Sequence, residues 1–213
     1  MSEVTVFGAP QSTYVRTVRM TLEEKGVTYQ LEPINPRDPG YRESRHPFGK
    51  MPAFQHDDVK LYETSAIAHY VNDVFPGNSL VPSNPVARSQ MHQWNSSVID
   101  YIYPSMVRNY VLEYIFPSGS DGSPDRNKID KAMEENRRQL GLIDRTLQKY
   151  PHLAGDEISL ADLFLVPIIF VLSHMPEGKE AVSAVPSVQA WQQKLADRAS
   201  FRNTMPPLPA KAS

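Results

Sequence analysis

The spacing of apolar residues changes its period several times along the chain. Residues 4–7, VTVF, alternate between two faces, which predicts a short strand. Beyond Pro10, apolar residues recur every three or four positions from Val15 to Leu22. This spacing predicts an amphipathic helix, and Gly26 supplies its stop.

A second strand and a hairpin are predicted next. Residues 28–34, TYQLEPI, predict a strand that the intervening helix makes parallel to the first. After an irregular stretch rich in Pro, Gly and charge, the segments PAFQ and KLYE, joined by HDDV, predict a hairpin. A helix with an apolar face from Ile67 to Val74 follows. The order β-α-β, then β-β-α, predicts a small mixed α/β domain over residues 1–77.

The remainder of the chain is predicted to be helical. Residues 78–85 indicate a linker, and an all-helical domain is predicted over residues 86–213. Pro104 is expected to kink or interrupt the first long helix. The end of the chain, MPPLPAKAS, is expected to lie extended over the surface. Four helices are marked by their apolar spacing, near Trp94, Leu140, Val166 and Trp191.

Composition argues against several classes of function. The 213 residues carry a formal net charge of -2 without a basic stripe, so no nucleic-acid partner is expected. The longest apolar run is too short to cross a bilayer, so no membrane partner is expected. Cysteine is absent, which excludes disulfides and a thiol nucleophile. The histidines lack metal-ligand spacing, so no metal is expected. No secretory signal is visible, and a cytoplasmic location is expected.

Two serines stand at predicted helix starts. Ser12 can cap the first helix by accepting a backbone N–H. The same place also stabilises an anion, because free N–H groups and the helix dipole point there, and the hydroxyl could donate a hydrogen bond to it. The residues alone leave both interpretations open. Ser159 and Asp162 have the spacing of a capping box before an apolar run, which predicts a structural role.

Two further stretches suit binding as well as structure. Pro52 opens the third strand, and a cis bond before it would leave the Met51 backbone free to pair with an extended ligand. Glu63 and Thr64 begin a helix, where Thr64 or Ser65 is suited to cap it and the acidic side chain suits the helix dipole. Capping alone would explain the second stretch.

Four stretches together resemble the cytosolic glutathione S-transferases over nearly the whole chain. The resemblance implies a thioredoxin-like domain that binds glutathione, a linker, an all-helical domain and a homodimer. The first stretch is most similar to the serine-type branches, above all the phi class, because Pro10, Ser12 and Arg16 match their P-x-S-x-x-x-R pattern. Tyrosine-type members have their tyrosine where this chain has Phe7. The stretches are FGAPQSTYVRTVRMTLEEKG, HPFGKMPAF, LYETSAIAHYV and GDEISLADLFLVP.

The resemblance also implies how glutathione is held. Ser12 would hydrogen-bond the cysteinyl sulfur, and Met51, before a cis Pro52, would pair its backbone with the cysteinyl residue. Glu63 and Thr64 would hold the γ-glutamyl end; the family usually has Glu-Ser, and threonine keeps the hydroxyl. Each of these residues matches a position of the family's pattern.

The glycyl end is implied less directly. Lys50 would neutralise the glycyl carboxylate, and Arg37 or Arg42 would replace the His and Lys that the family usually has in a loop that does not align cleanly here. Arg16 either tunes the site electrostatically or is solvated. Candidates for an apolar electrophile pocket are Tyr101, Tyr103 and Met106, while Trp94 is expected to belong to the core.

The predicted activity is conjugation of glutathione to apolar electrophiles, with hydroperoxide reduction as a related possibility. Ser12 would act as a thiolate stabiliser, since no G-x-S-x-G elbow supports a nucleophilic serine. One alternative is a glutathione-dependent isomerase or dehalogenase, although the isomerases usually show Ser-Ser-Cys where this chain has QST. Another alternative is a non-catalytic domain for protein association.

Overall fold

A four-stranded mixed sheet organises the N-terminal part of the computed structural model, which describes residues 3–206. The sheet order is β2-β1-β3-β4, with β2 parallel to β1, β3 antiparallel to β1, and β4 antiparallel to β3. The strands are β1 (Val4–Phe7), β2 (Gln30–Glu32), β3 (Ala53–His56) and β4 (Val59–Tyr62). The predicted parallel pair and the predicted hairpin are therefore confirmed.

Three helices accompany this sheet, namely α1 (Thr13–Glu24), α2 (Tyr41–Ser44) and α3 (Thr64–Val74). The short α2 lies in the stretch that the sequence marked as irregular. The hairpin turn contains two residues, Asp57 and Asp58, rather than the four of HDDV. Apolar residues of β1, β3, α1 and α3 share one core, formed by Val4, Val6, Val15, Val18, Leu22, Phe54, Ile67 and Val71.

The following residues are helical as predicted. Pro104 does not end its helix; the chain passes from α4 into a π-helical segment that contains this proline. Pro104 has no N–H to donate, and the predicted interruption takes the form of a change from α- to π-helix at Val98, while the predicted kink stays a prediction. The elements are α4 (Pro85–Ser97), the π-helical segment (Val98–Val111), α5 (Leu112–Ile115), α6 (Arg126–Leu147), α7 (Leu160–Ser173), α8 (Pro176–Ser183) and α9 (Pro186–Ala196).

Helix α7 forms the centre of the helical unit, and nearly all of its residues are buried. Its capping box is confirmed, because Ser159 and Asp162 bond each other's backbone N–H groups. The Asp162 carboxylate also accepts the indole N–H of Trp191 at 2.9 Å. Within residues 3–206 no single helix has the length and apolarity to cross a membrane; the pair α7 and α8, bent by 119°, passes that test by length and composition only.

The last helix, α10 (Ala199–Asn203), belongs to the sheet-containing unit. The chain divides at Leu80, within the predicted linker, and residues 197–206 group with the first unit rather than with the predicted helical domain. The reason is a set of bonds to α1: Arg198 and Ser200 bond Glu24, and Arg16 bonds Phe201. The extended tail predicted from Met205 to Ser213 falls mostly on residues 207–213, outside the described part.

Candidate functional site

Three segments meet at one edge of the sheet because of its strand register. Phe7, the last residue of β1, pairs with Ala53, the first residue of β3, and Ala53 pairs with Tyr62, the last residue of β4. The turn that carries Ser12 follows β1, the segment 50–52 precedes β3, and Glu63 with Thr64 follows β4. The fold thus collects at one edge the residues that the sequence singled out at separate places.

Ser12 occupies the N-cap of α1 and is half-buried. Its Oγ accepts the N–H of Val15 at 3.4 Å, and its own N–H donates to the Ala9 carbonyl at 3.0 Å. The capping interpretation is therefore confirmed. Accepting a bond does not consume the hydroxyl proton, so Ser12 remains able to donate to an anion at the helix N-terminus.

The peptide bond between Met51 and Pro52 is cis, as predicted. Within residues 3–206 the backbone N–H and C=O of Met51 make no hydrogen bond. Its side chain turns toward the Ser12 turn, where the thioether sulfur accepts the N–H of Ala9 at 3.3 Å. The backbone of Met51 is thus available to a ligand while its side chain is engaged.

The start of α3 differs from its prediction. Glu63, rather than Thr64 or Ser65, is the N-cap, and no side chain bonds the cap position. Thr64 is the first helical residue and is buried, whereas Glu63 is exposed. Glu63 has a φ of 69°, in the left-handed region that residues with a Cβ rarely adopt. Side-chain capping therefore does not explain these residues, and their role in binding stays a prediction.

A polar cleft of about 580 Å³ lies beside Lys50, between the β2–α2 loop and the loop before β3. Arg37 and Arg42 both line it. Gly49 permits the close approach of Arg42, because a Cβ on this glycine would lie 2.7 Å from the arginine Nε. Tyr41 donates its hydroxyl to the Lys50 carbonyl at 2.7 Å, and burial raises the pKa of this phenol, so it stays protonated at neutral pH.

His46 is a neighbour of this site that the sequence did not single out. Burial lowers the pKa of its imidazole, and the carboxylate of Glu63 opposes part of that effect. The ring lies 5.1 Å from that of Tyr62 and 6.3 Å from that of Phe48. A neutral histidine therefore supports the aromatic side chains next to Glu63. The HPFGK stretch contains it, but nothing in the stretch signals a buried imidazole.

The candidates for an electrophile pocket separate by burial. All three lie on the π-helical segment, where Met106 is fully buried and packs in the core, while Tyr101 is 66% exposed. Tyr101 lines a cleft of about 490 Å³ against α6, together with Lys131 and Gln139. Tyr103 is half-buried, and burial raises the pKa of its hydroxyl. Trp94, expected in the core, is only half-buried.

Arg16 is almost completely buried, so the interpretation as a solvated residue is wrong. Its guanidinium donates to the carbonyl of Phe201 at 3.1 Å and lies 4.0 Å from the centre of that residue's ring. Burial, and to a smaller extent the charge of Arg19, lowers its pKa to about 10, which leaves it protonated at neutral pH. Arg16 therefore connects α1 to α10.

Comparison with known proteins identifies this arrangement. Residues 6–79 match the family model of the glutathione S-transferase N-terminal domain, and residues 98–199 match that of the C-terminal domain. The chain belongs to the glutathione S-transferase family, and the resemblance to its phi class is confirmed by plant relatives of that class. Glutathione S-transferase 1 of Triticum aestivum is 30% identical over 99% of this chain and 97% of its own. Glutathione S-transferase F7 of Arabidopsis thaliana is 28% identical over 96% of this chain and its whole length.

Solved structures agree with the sequence comparison. Glutathione transferase F7 from Populus trichocarpa superposes with a TM-score of 0.83 at 27% identity, covering 94% of this chain and 97% of that one. Glutathione S-transferase I from maize, solved with an atrazine glutathione conjugate, gives a TM-score of 0.82 at 26% identity, with coverages of 95% and 96%. The thioredoxin-like first unit, the helical second unit and glutathione transferase activity are thereby confirmed.

Proposed function

We propose that Ser12 stabilises the thiolate of bound glutathione for attack on apolar electrophiles. The observation that carries this proposal is the position of the hydroxyl at the N-terminus of α1, with its acceptor side occupied by Val15 N–H and its proton available. In the reaction the thiol proton passes to solvent, the sulfur bonds the electrophilic carbon, and the leaving group departs. The same thiolate would serve hydroperoxide reduction.

The energetics of this role are sufficient without a general base. A free thiol has a pKa near ~8.5, and lowering it by about two units requires roughly 2.7 kcal/mol. One hydrogen bond to a charged group contributes about 1.5–3 kcal/mol. The helix N-terminus adds about 0.3–1 kcal/mol. These two contributions cover the requirement.

The rest of glutathione follows the three segments at the sheet edge. The free backbone groups of Met51 would pair with the cysteinyl residue, and the carboxylate of Glu63 with the hydroxyl of Thr64 would hold the γ-glutamyl end. Lys50 would neutralise the glycyl carboxylate. We assign Arg42 rather than Arg37 to the same end, because its guanidinium lies against Gly49, next to Lys50.

The electrophile is assigned to the side chains of the π-helical segment that are not buried in the core. Tyr101 and Tyr103 meet that condition, whereas Met106 is buried in the core and would only pack against the residues that line the pocket. Tyr103 offers an apolar ring with a protonated hydroxyl, which suits an aromatic substrate.

The test is an ultraviolet titration of the glutathione thiolate bound to the wild type, to Ser12→Ala and to Thr13→Val. We expect Ser12→Ala to raise the thiolate pKa by about 1–2 units while still binding glutathione. Thr13 is the matched control, because its hydroxyl is next to Ser12 in the chain and is buried without a partner within the described residues. If the thiolate pKa stays low in Ser12→Ala but rises in Thr13→Val, the role belongs to Thr13.

The proposal includes a homodimer and a cytoplasmic location. Both rest on the family, and the dimer has one further support in the exposed aromatic side chains of Phe48 and Tyr62 on the first unit. Light scattering measures the dimer, and cell fractionation measures the location. A soluble monomer at micromolar concentration would contradict the first, and recovery outside the cytoplasmic fraction would contradict the second.

A further inference from the structure

The side chain of Met51 lies between two groups that the proposed function uses. Its backbone is available at the start of β3, and its sulfur accepts the N–H of Ala9 at 3.3 Å. The carbonyl of the same Ala9 accepts the N–H of Ser12 at 3.0 Å. A chain of two hydrogen bonds therefore connects the Met51 side chain to the residue that carries the hydroxyl.

The turn between these groups packs closely against its neighbours. A Cβ on Gly8 would lie 2.3 Å from Cγ2 of Val15 and 3.4 Å from Cβ of Met51. The backbone at Gly8 therefore packs closely between α1 and Met51. Ala9 is half-buried, and its N–H makes no other hydrogen bond within the described residues. Removing the sulfur would leave this N–H without an acceptor and would release one side of the turn.

The geometry points to Met51 as a positioning residue, whose thioether fixes the turn that presents the Ser12 hydroxyl. This inference rests on the proposed role of Ser12. One residue then acts at both contacts of the cysteinyl moiety: its backbone pairs with the cysteinyl backbone, and its side chain sets the hydroxyl that meets the sulfur. Ordering both through a single residue keeps their separation fixed, which is what preorganised stabilisation of a charge requires.

The second side of the same segment is held independently. Tyr41 donates its hydroxyl to the Lys50 carbonyl, one residue before Met51. This bond is made to the backbone of the segment at Lys50 and not to a residue of the Ser12 turn. Loss of the Tyr41 hydroxyl should therefore weaken glutathione binding without changing the ionisation of its thiol, which makes it a useful contrast to Met51.

The experiment compares Met51→Leu, Met51→Gln and Tyr41→Phe, with Ser12→Ala and wild type titrated alongside. Leucine keeps the volume of methionine without the acceptor, and glutamine restores an acceptor. We expect Met51→Leu to raise the thiolate pKa of bound glutathione by about half a unit, with a dissociation constant within about twofold of wild type. In Met51→Gln the thiolate pKa should lie between the values of wild type and Met51→Leu. Tyr41→Phe should raise the dissociation constant of glutathione and leave the thiolate pKa unchanged.

A second N–H···S bond provides the matched control. Met133 lies in the core of the helical unit, and its sulfur accepts Nδ2 of Asn136 at 3.5 Å. Met133→Leu should lower the melting temperature and leave the thiolate pKa unchanged. If Met51→Leu behaves like Met133→Leu, the thioether is only packing and the inference is wrong. If Ser12→Ala itself fails to shift the pKa, the proposed function falls as well, so the two failures are distinguishable.

Discussion

Glu63 has a φ of 69°, a conformation that costs a residue with a Cβ about 1–3 kcal/mol. Its side chain makes no cap bond, although it precedes the first turn of α3. A glycine would adopt this backbone without strain. Keeping a glutamate here therefore makes sense if the carboxylate is needed at the site rather than in the fold.

Replacing Glu63 with glycine separates these two roles. We expect the free energy of unfolding of Glu63→Gly to lie within about 1 kcal/mol of the wild-type value, because relief of the strain offsets the greater flexibility of the unfolded chain. The dissociation constant of glutathione should rise at least tenfold, since a hydrogen bond to a charged group contributes about 1.5–3 kcal/mol. Chemical denaturation and calorimetric titration measure the two quantities. Unchanged glutathione affinity would remove Glu63 from the site.

At the scale of elements, α10 is attached to α1 by charged groups. Burial of Glu24 favours its protonated form, but the hydrogen bonds from Arg198 and Ser200 outweigh that effect and lower the pKa of the carboxyl group. A carboxyl group with a lowered pKa in the folded state stabilises the fold above its unfolded pKa, near ~4.3, and loses that contribution as the pH falls through the folded value. The attachment of α10 is thus strongest at neutral pH.

Glu24→Gln should therefore destabilise the protein by about 1 kcal/mol at pH 7, which is below the usual ~1.5–3 kcal/mol for a hydrogen bond to a charged group because Arg198 is partly exposed. The difference from wild type should shrink as the pH falls below ~4, where the wild-type carboxyl group also becomes neutral. Thermal unfolding at several pH values measures it. Glu135→Gln, which breaks an exposed pair with Arg138, is the control, with an expected effect below about 0.5 kcal/mol. Equal effects of the two variants would contradict a special role for the α10 contact.

The elements that could be predicted are those with local signals. The capping box of α7 involves residues three positions apart, and it was found from that spacing alone. Arg16 bonds residues 185 and 188 positions away, so no local pattern reveals that this residue is buried. The π-helical segment was missed because Pro104 marks a disturbance without specifying how the helix absorbs it.

The residues of the candidate site likewise divide into those that the sequence predicts and those that it misses. Ser12, Lys50, Met51 and Glu63 are predicted as site residues through the resemblance, which transfers positions along the chain. The cap of α3 was predicted wrongly because propensity disfavours glutamate in a left-handed conformation. The bonds of Tyr41 and of the Met51 sulfur were missed because they depend on how the loops before β3 fold, and an irregular stretch carries no periodic signal.

At the scale of the whole molecule, the exposed aromatic side chains bear on assembly. Phe48 is 65% exposed, and its ring packs edge-on against Tyr62 at 6.2 Å, itself 40% exposed. Large exposed aromatic residues are enriched where proteins associate. Among the exposed residues of the second unit, Phe116 is 72% exposed and follows α5.

Phe48→Ser should weaken the proposed homodimer, whereas Phe116→Ser should not. The reason is that the Phe48 ring packs against the buried His46 ring, with 6.3 Å between their centres. This contact holds Phe48 in place as an apolar surface for a second copy. Light scattering across a dilution series should give twice the chain mass for wild type and for Phe116→Ser, and the mass of one chain for Phe48→Ser at concentrations where wild type stays paired. A dimer that survives Phe48→Ser would place the interface elsewhere, and equal loss in both variants would indicate general exposure effects instead of a specific contact.

Because Glu63 follows Tyr62 directly, weaker pairing in Phe48→Ser should also raise the dissociation constant of glutathione, and this increase should disappear at protein concentrations that restore the dimer.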